Sequence, residues 1–244
     1  MKVILPMAGR GSRFNGSGYN VPKPFIPVEG KPMFAWAMQS IEGIDCSELI
    51  VIALREHEEI YKLTELISEF APAKTSLVLI NDVTEGQLCT VLAARDLINN
   101  DEDILIISSD TIVISEIGKE IGRKREGCKG IISVADMPGD RWSFARLNKD
   151  GFVDLVAEKE RISDHASTGI YYFSSGKEFV EMAEEIVNNK EKTKGEYYVI
   201  PLYQKLINNG YKVMISEASE MWDLGTPESL NTFLKTKGDR AGGG

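Results

Sequence analysis

Val3-Ile4-Leu5-Pro6-Met7-Ala8-Gly9-Arg10-Gly11-Ser12-Arg13-Phe14 is the stretch from which the rest of the chain is best read. Its aliphatic start predicts a short buried strand, and its glycines predict a turn at that strand's carboxyl end. Such a turn is where an α/β fold offers backbone N–H groups to phosphates. Glycine suits it because the backbone must approach the ligand closely and take positive φ. Two better-known glycine-rich patterns fail here. The P-loop needs Gly-Lys-Ser/Thr after a longer gap, and none follows. The dinucleotide fingerprint needs a third glycine where Phe14 stands, and an acidic residue about twenty positions on that no second strand supplies.

Working outward, short apolar runs alternate with amphipathic stretches, the pattern of an α/β protein with a mainly parallel sheet. Val3–Leu5, Leu49–Leu54, Leu77–Ile80 and Ile104–Ser108 are candidate strands, apolar on both faces as strands covered by helices on both sides should be. Pro32 is expected at the first position of a helix whose inward stripe is Met33, Trp36, Ala37, Ser40 and Ile41. Further helices are expected over 58–70 and 90–98. After them come strands over 130–134, 144–147, 152–157 and 169–173, then helices over 177–189 and 199–208. Thr226-Pro227 predicts an N-cap and first turn for a C-terminal helix. No linker or repeat divides the chain. One unit over 1–235 is expected, with a nucleotide half over about 1–115, an acceptor half over about 116–235, and a flexible tail over 236–244.

The 244 residues carry 37 acidic against 28 basic side chains, a net charge of −9. That balance argues against clamping nucleic acid, which is held by clustered Lys and Arg. Small anions remain suitable ligands, since a local basic pocket can sit on an acidic protein. No apolar run approaches the roughly twenty residues of a membrane helix, and Met1-Lys2 runs into too short an apolar segment for a signal peptide. Cys46, Cys89 and Cys128 lack metal-ligand spacing and suit reduced thiols. A cytoplasmic location follows as an expectation. Nothing in the chain requires or forbids assembly into a homo-oligomer.

Four constellations carry candidate chemistry. Arg13 places a fixed charge inside the glycine-rich loop, and Lys23 follows between Pro22 and Pro24, whose rings restrict its backbone. Arg forks onto two phosphate oxygens, whereas Lys acts as a movable point charge. Asp110, after Ser108-Ser109 at the end of the fourth strand, is placed to ligate Mg²⁺, which takes one or two carboxylates plus phosphate oxygens and waters. A Ser-Asp turn capping a helix is the plainer alternative. Asp223 in Trp222-Asp223-Leu224-Gly225 is a candidate second carboxylate for that metal. Lys159, after Glu158, would meet the acceptor's phosphate, with a solvated strand-end lysine as the alternative.

In this order, these segments resemble the sugar-1-phosphate nucleotidylyltransferases, the pyrophosphorylases that include the glucose-1-phosphate thymidylyltransferases. The resemblance rests on Met7–Phe14, Pro22-Lys23-Pro24, Pro27-Val28, Gly30-Lys31-Pro32-Met33, Glu85-Gly86-Gln87 and Ser109-Asp110. It continues through Glu158-Lys159, Ser167–Tyr171, Gly195-Glu196 and Trp222–Thr226. It implies a Rossmann-like, GT-A-like α/β fold with a mixed, mainly parallel sheet flanked by helices, and transfer of a nucleotidyl group to a sugar 1-phosphate. It further implies that Ala8, Gly9, Gly11, Ser12, Arg13 and Ser109 hold the nucleotide, and that Glu85, Gly86 and Gln87 lie by the base. Lys23 would meet the α-phosphate and departing pyrophosphate. Asp110 and Asp223 would hold Mg²⁺, and Lys159, Thr168, Gly169 and Glu196 would line the acceptor side. Arg13, Lys23 and Asp110 are the expected catalytic residues. Ser109 stands where many relatives have glycine. The opening motif and Glu85–Cys89 resemble the branch associated with bacterial capsule or surface polysaccharide genes.

The implied reaction is attack by an acceptor phosphate oxygen on the α-phosphorus. That phosphate is already ionised at neutral pH, so no general base is needed, in keeping with only two histidines. Within the same class the rival is a cytidylyltransferase acting on a phospho-alcohol or phosphonate such as phosphocholine. Outside it stand a glycosyltransferase, against which Asp110-Thr111-Ile112 lacks the Asp-x-Asp motif, and a non-catalytic nucleotide-binding regulator.

Overall fold

The computed structural model describes residues 1–71 and 74–241 apart from Asn15, with side chains through Lys237. The first half runs β1 (Lys2–Pro6), β2 (Pro27–Val28), β3 (Lys31–Pro32), α1 (Met33–Met38), β4 (Glu48–Leu54), α2 (Arg55–Tyr61), α3 (Leu63–Ser68) and β5 (Thr75–Ile80). It continues with α4 (Gln87–Leu92), α5 (Arg95–Ile98), β6 (Ile104–Ile106), β7 (Thr111–Ser115) and α6 (Ile117–Gly122). The second half runs β8 (Cys128–Ala135), β9 (Ser143–Leu147), β10 (Val153–Glu158), β11 (Ala166–Phe173), α7 (Gly176–Asn188), α8 (Pro201–Asn208), β12 (Lys212–Asp223) and α9 (Pro227–Ala241).

The main sheet has the order β5-β4-β1-β6-β11-β8-β12-β7, with β9 and β10 set off beside β11. β5, β4, β1 and β6 run parallel to one another, while β11 runs antiparallel to both β6 and β8. It is the mixed, mostly parallel sheet with flanking helices expected of a Rossmann-like fold. Alternate side chains of the central strands enter opposite cores. Ile4, Ile50, Ile52, Ile104 and Ile106 pack with Leu88, Val91 and Phe179 on one face. Val3, Leu5, Leu49, Val51 and Leu105 pack with Phe34, Leu63 and Ile67 on the other. Two helical layers over one sheet explain why these strands are apolar throughout.

From β1 the chain steps outward to β4 and β5, then returns through α4 and α5 to β6 on the far side of β1. The strand order therefore reverses between β1 and β6, and an open crevice forms beyond their carboxyl ends. Ligands of α/β sheets bind at such reversals.

Several local expectations are corrected. Pro32 is the cap residue before α1, extended at ψ 149, and not its first helical residue. It pairs with Pro27 across the β2–β3 hairpin, which holds it out of the helix. The helix expected over 58–70 is broken at Lys62, whose φ is +49, because the Glu58 carboxylate turns back to accept the Thr64 N–H at 2.8 Å and restarts the chain as α3. The 90–98 helix is likewise two pieces, α4 and α5. After Asp110 the chain enters strand β7, not a helix, as the run Thr111-Ile112-Val113-Ile114 favours. The last helix continues through residues 236–241, where the sequence predicts a tail; the remainder of that tail, 242–244, lies outside the described residues.

Candidate active site

β1 delivers the glycine-rich loop straight into the crevice. Met7 still pairs, its N–H donating to the Ile52 carbonyl at 2.8 Å, and the chain leaves the sheet at Ala8. Gly11 turns at φ +59, and a Cβ there would come within 2.7 Å of the Lys23 Cβ. That closeness lays the Lys23 segment against the loop, so an alanine at 11 would push the two apart. Ser12–Phe14 then form one 3₁₀ turn that buries Phe14. Arg13 stays exposed on this turn.

Phe14 belongs to a third core of Ile26, Val28, Met33, Ile112, Leu224, Leu230 and Phe233. The four segments that bear the loop, Lys23, Asp110 and Asp223 each send a residue into it. Phe14 anchors the loop, Ile26 the Lys23 turn, Ile112 the strand after Asp110, and Leu224 the residue after Asp223. α9 closes this cluster through Leu230 and Phe233, and Thr226 caps α9 by accepting the Ser229 N–H at 3.1 Å. Satellite packing of this kind, not the main sheet alone, sets the spacing of the charged groups.

Those groups converge. Lys23 Nζ donates to Asp110 Oδ2 at 2.6 Å, with both side chains about four-fifths buried (21% and 20% exposed). Burial on its own would raise the Asp110 carboxyl, but the Lys23 ammonium and the Arg13 charge outweigh it and hold the group below its ordinary value. Asp110 is therefore ionised at neutral pH. Asp223 arrives by the antiparallel pairing of β12 with β7, which sets it opposite Thr111. Beyond the pair, the Leu224 N–H donates to the Asp110 carbonyl at 2.7 Å and the Gly225 N–H to Asp223 Oδ1 at 2.8 Å. A Cβ on Gly225 would lie 2.8 Å from both Asp110 Oδ2 and Asp223 Oδ1. The two carboxylates thus share one small space, and only the absence of a side chain at 225 leaves room for it. Two convergent carboxylates beside a glycine-rich loop have the ligand chemistry that suits Mg²⁺, which takes one or two carboxylates and fills its other positions from phosphate and water.

The cleft has a volume of about 550 Å³, within the roughly 300–1,000 Å³ usual for small-ligand sites. Ala8, Gly9, Gly11, Ser12, Arg13, Lys23, Gly86, Gln87, Ser109, Asp110 and Glu196 all line it. Gly86 takes φ +137 and sits so close to Tyr197 that a Cβ would meet its carbonyl oxygen at 2.4 Å. The Tyr197 N–H donates to the Glu85 carbonyl at 2.9 Å, and the Tyr197 carbonyl accepts the Leu88 N–H at 3.1 Å, so this loop is bolted to the segment carrying Glu196. Glu85 itself points out to an ion pair with Lys192.

On the opposite wall, Lys159 does not line the cleft directly. It takes φ +53, a conformation that costs a lysine energy and clusters at functional sites. Its ammonium donates to the Tyr198 hydroxyl, which donates to Glu196. Burial, and then the Glu196 carboxylate, push the Tyr198 phenol well above its ordinary value, so it stays a donor. Next to Lys159, burial raises the Glu158 carboxyl, while Ser143 donates to it. Thr168 is buried, its hydroxyl directed at the Ser133 carbonyl at 3.4 Å, away from the cleft. Gly169 sits at an irregularity of β11 with φ +84, where a Cβ would strike the Ser108 hydroxyl at 2.2 Å. Thr168 and Gly169 thus shape the wall through packing. Tyr198, Thr84 and Thr90 line the cleft without having been singled out from sequence; Tyr198, two residues after Glu196, had an available signal in its neighbour.

Across residues 2–238 the chain matches the family described as Nucleotidyl transferase. It belongs to the nucleotidyl transferase family. It is 27% identical over 243 residues to the bifunctional protein GlmU of Thermotoga petrophila, covering 96% of this chain and 50% of that protein. The chain thus spans about half the length of that relative. Among solved structures it is similar to a nucleoside-diphosphate-sugar pyrophosphorylase from Vibrio cholerae RC9, with a TM-score of 0.79 and 26% identity over 96% of this chain and 99% of that one. The inositol-1-phosphate CTP transferase from T. maritima shares the fold at a TM-score of 0.76 with 13% identity, covering 96% of this chain and 93% of that one. No described helix is long and apolar enough to cross a membrane.

Proposed function

We propose that the chain joins a nucleoside triphosphate to a sugar 1-phosphate, giving a nucleoside-diphosphate sugar and pyrophosphate. The observation that carries this reading is the meeting of Lys23, Asp110 and Asp223 around Gly225, beside the loop Gly9–Arg13, at the point where the strand order reverses. The whole reaction would run within residues 1–235, in the cytoplasm, and the product would feed surface polysaccharide synthesis.

In the proposed reaction the loop backbone and Arg13 bind the triphosphate. An oxygen of the acceptor's phosphate attacks the α-phosphorus, and the bond from that phosphorus to the oxygen bridging to the β-phosphate breaks. Pyrophosphate leaves with that electron pair, and no proton moves. Lys23 neutralises charge on the α-phosphate and the leaving group, while Lys159, held by Tyr198, meets the acceptor's phosphate. Asp110 and Asp223 would hold Mg²⁺, which supplies Lewis-acid neutralisation of the phosphate oxygens. Catalysis here is positioning plus fixed charge.

The test is pyrophosphate release by the purified chain with each of CTP, UTP, dTTP, GTP and ATP against sugar 1-phosphates and phospho-alcohols. Release is expected with a sugar 1-phosphate. Asp110→Ala and Lys23→Ala should each lower turnover roughly 10²–10³-fold, with the melting transition retained. Release with phosphocholine alone would replace this reading with the cytidylyltransferase one. Nucleotide binding without release for any acceptor would leave a binding protein.

A further inference from the structure

The two carboxylates at Gly225 are each paired to a cation of the protein's own, and the two pairs differ. Lys23 belongs to the proposed phosphate-binding machinery. Arg141 was not singled out by motif, yet its Nη2 donates to Asp223 Oδ2 at 2.6 Å from a position 82 residues away in sequence. Asp223 Oδ1 is already turned toward Gly225, where it accepts the N–H at 2.8 Å. Arg141 therefore holds the other Asp223 oxygen, which the Ser229 hydroxyl also approaches at 3.5 Å.

Arg141 lies between β8 and β9, in the segment that also faces Lys159: the Lys159 N–H donates to the carbonyl of its neighbour Trp142 at 2.9 Å. Its guanidinium rests over the Trp142 ring at 4.3 Å from the centroid. The side chain is 47% exposed against 11% for Asp223. One end of this pair is buried and the other lies half in solvent. A guanidinium stacked on an indole face keeps that contact while its fork turns to another partner.

We infer that Arg141 is a positioning residue that stands in for the divalent cation at Asp223, and that it turns onto the acceptor's phosphate beside Lys159 when the cation binds. The inference rests on the reaction proposed above. Arg141 on Oδ2 and a cation in the space beside Oδ1 would draw on the same carboxylate, and their like charges oppose each other across it. Released, the fork matches two oxygens of a phosphate, where Lys159 alone offers a point charge. The arrangement would make cation binding a condition for full acceptor binding.

The experiment is Mn²⁺ titration, read by the electron paramagnetic resonance of free Mn²⁺, on the wild-type chain, Arg141→Gln, Asp223→Asn and the double variant, without nucleotide. Arg141→Gln should bind Mn²⁺ up to about fivefold more tightly, the scale of one partly exposed ion pair. That gain should vanish in the Asp223→Asn background. Titration with glucose 1-phosphate in saturating Mn²⁺ should then show Arg141→Gln binding about tenfold more weakly, with Arg141→Lys recovering part of the loss. Unchanged or weaker Mn²⁺ binding in Arg141→Gln, with melting retained, would reduce Arg141 to a brace for its loop. Tighter Mn²⁺ binding with unchanged glucose 1-phosphate binding would overturn the transfer to the acceptor. A chain that releases no pyrophosphate yet couples positions 141 and 223 in Mn²⁺ binding would refute the proposed reaction and leave the stand-in role intact.

Discussion

Gly225→Ala is the sharpest test of the site, because one added methyl group addresses both carboxylates and little else. The new Cβ would lie 2.8 Å from Asp110 Oδ2 and 2.8 Å from Asp223 Oδ1. Ordinary contact begins near 3.4 Å, so each oxygen must retreat by about 0.6 Å. The Gly225 backbone lies outside the left-handed region, so alanine meets no φ strain there. Stability should therefore hold to within about 1 kcal/mol, since side-chain ends can yield where a backbone could not. Mg²⁺ is less forgiving, with oxygens required at about 2.0–2.1 Å in near-ideal octahedral geometry. Misplacing a reacting constellation by about 1 Å can cost roughly 10²-fold, so a shift of this size should lower turnover by about 10–100-fold, or ~1.4–2.7 kcal/mol in the barrier. The assay pairs pyrophosphate release with Mn²⁺ affinity and a urea melt. A Gly225→Ala chain with wild-type turnover and wild-type Mn²⁺ affinity would refute the shared-carboxylate site. A chain that loses activity by unfolding would refute the geometric reasoning behind it.

Three further outcomes follow from neighbouring contacts. Phe233→Ala removes a fully buried ring packed edge-on to Trp36 and Trp222, and should cost about 3–5 kcal/mol in urea denaturation. Lys23→Met should raise the Asp110 carboxyl, because burial is then opposed mainly by Arg13, and ¹³C NMR of the carboxyl reads the change directly. Since Asp110 lies below its ordinary 3.8 in the wild type, its pairing stabilises the fold above that pH and is lost as pH falls through the native value; in Lys23→Met that acid-side loss should shrink. His57 is buried against Phe25 and Tyr61 with Nδ1 unpartnered, and burial holds its imidazole below the ordinary 6.5. The unfolded chain then takes up the proton first, so wild-type stability should fall as pH drops below about 6.5; His57→Phe should lose that part of the slope in melts between pH 5 and 7.5.

How much was legible in the sequence depended on whether a residue's partners lie nearby in the chain. The strand-and-turn opening was legible because hydrophobic run and glycine pair are adjacent, and the parallel strands because burial on both faces leaves continuous apolar runs. β12 was not, since Ser216, Glu217, Ser219 and Glu220 interrupt the pattern of a strand whose first half pairs with β8 and second half with β7. Lys23, Asp110 and Asp223 were legible as residue types suited to phosphate and metal. That Asp110 and Asp223 converge was expected of them as ligands of one metal; the room that Gly225 leaves between them was not legible, because the close approach is made by tertiary pairing. Thr168 shows the opposite error: a motif match marks a residue as near a site without saying whether its side chain faces the ligand or the core. Arg141 escaped because nothing within its own loop, apart from the Trp142 ring, announces a partner 82 residues on.

The path of β12 also explains why the carboxylates form a pair at all. Asp110 ends the turn into β7, and Asp223 ends β12, so the two sit at one end of a single antiparallel ladder whose register sets them side by side. A one-residue slip in that ladder would turn Asp223 to the other face of the sheet. Register is held from both sides, by the Leu224 N–H on the Asp110 carbonyl and by the Ser40 hydroxyl accepting the Val113 N–H at 2.8 Å. The glycine-rich loop joins the same ladder through Phe14, which packs with Ile112 and Leu224. The glycine-rich loop and the carboxylate pair are therefore one packed unit, and a change in the α9 cluster should reach the site by loosening that ladder before it reaches the parallel sheet.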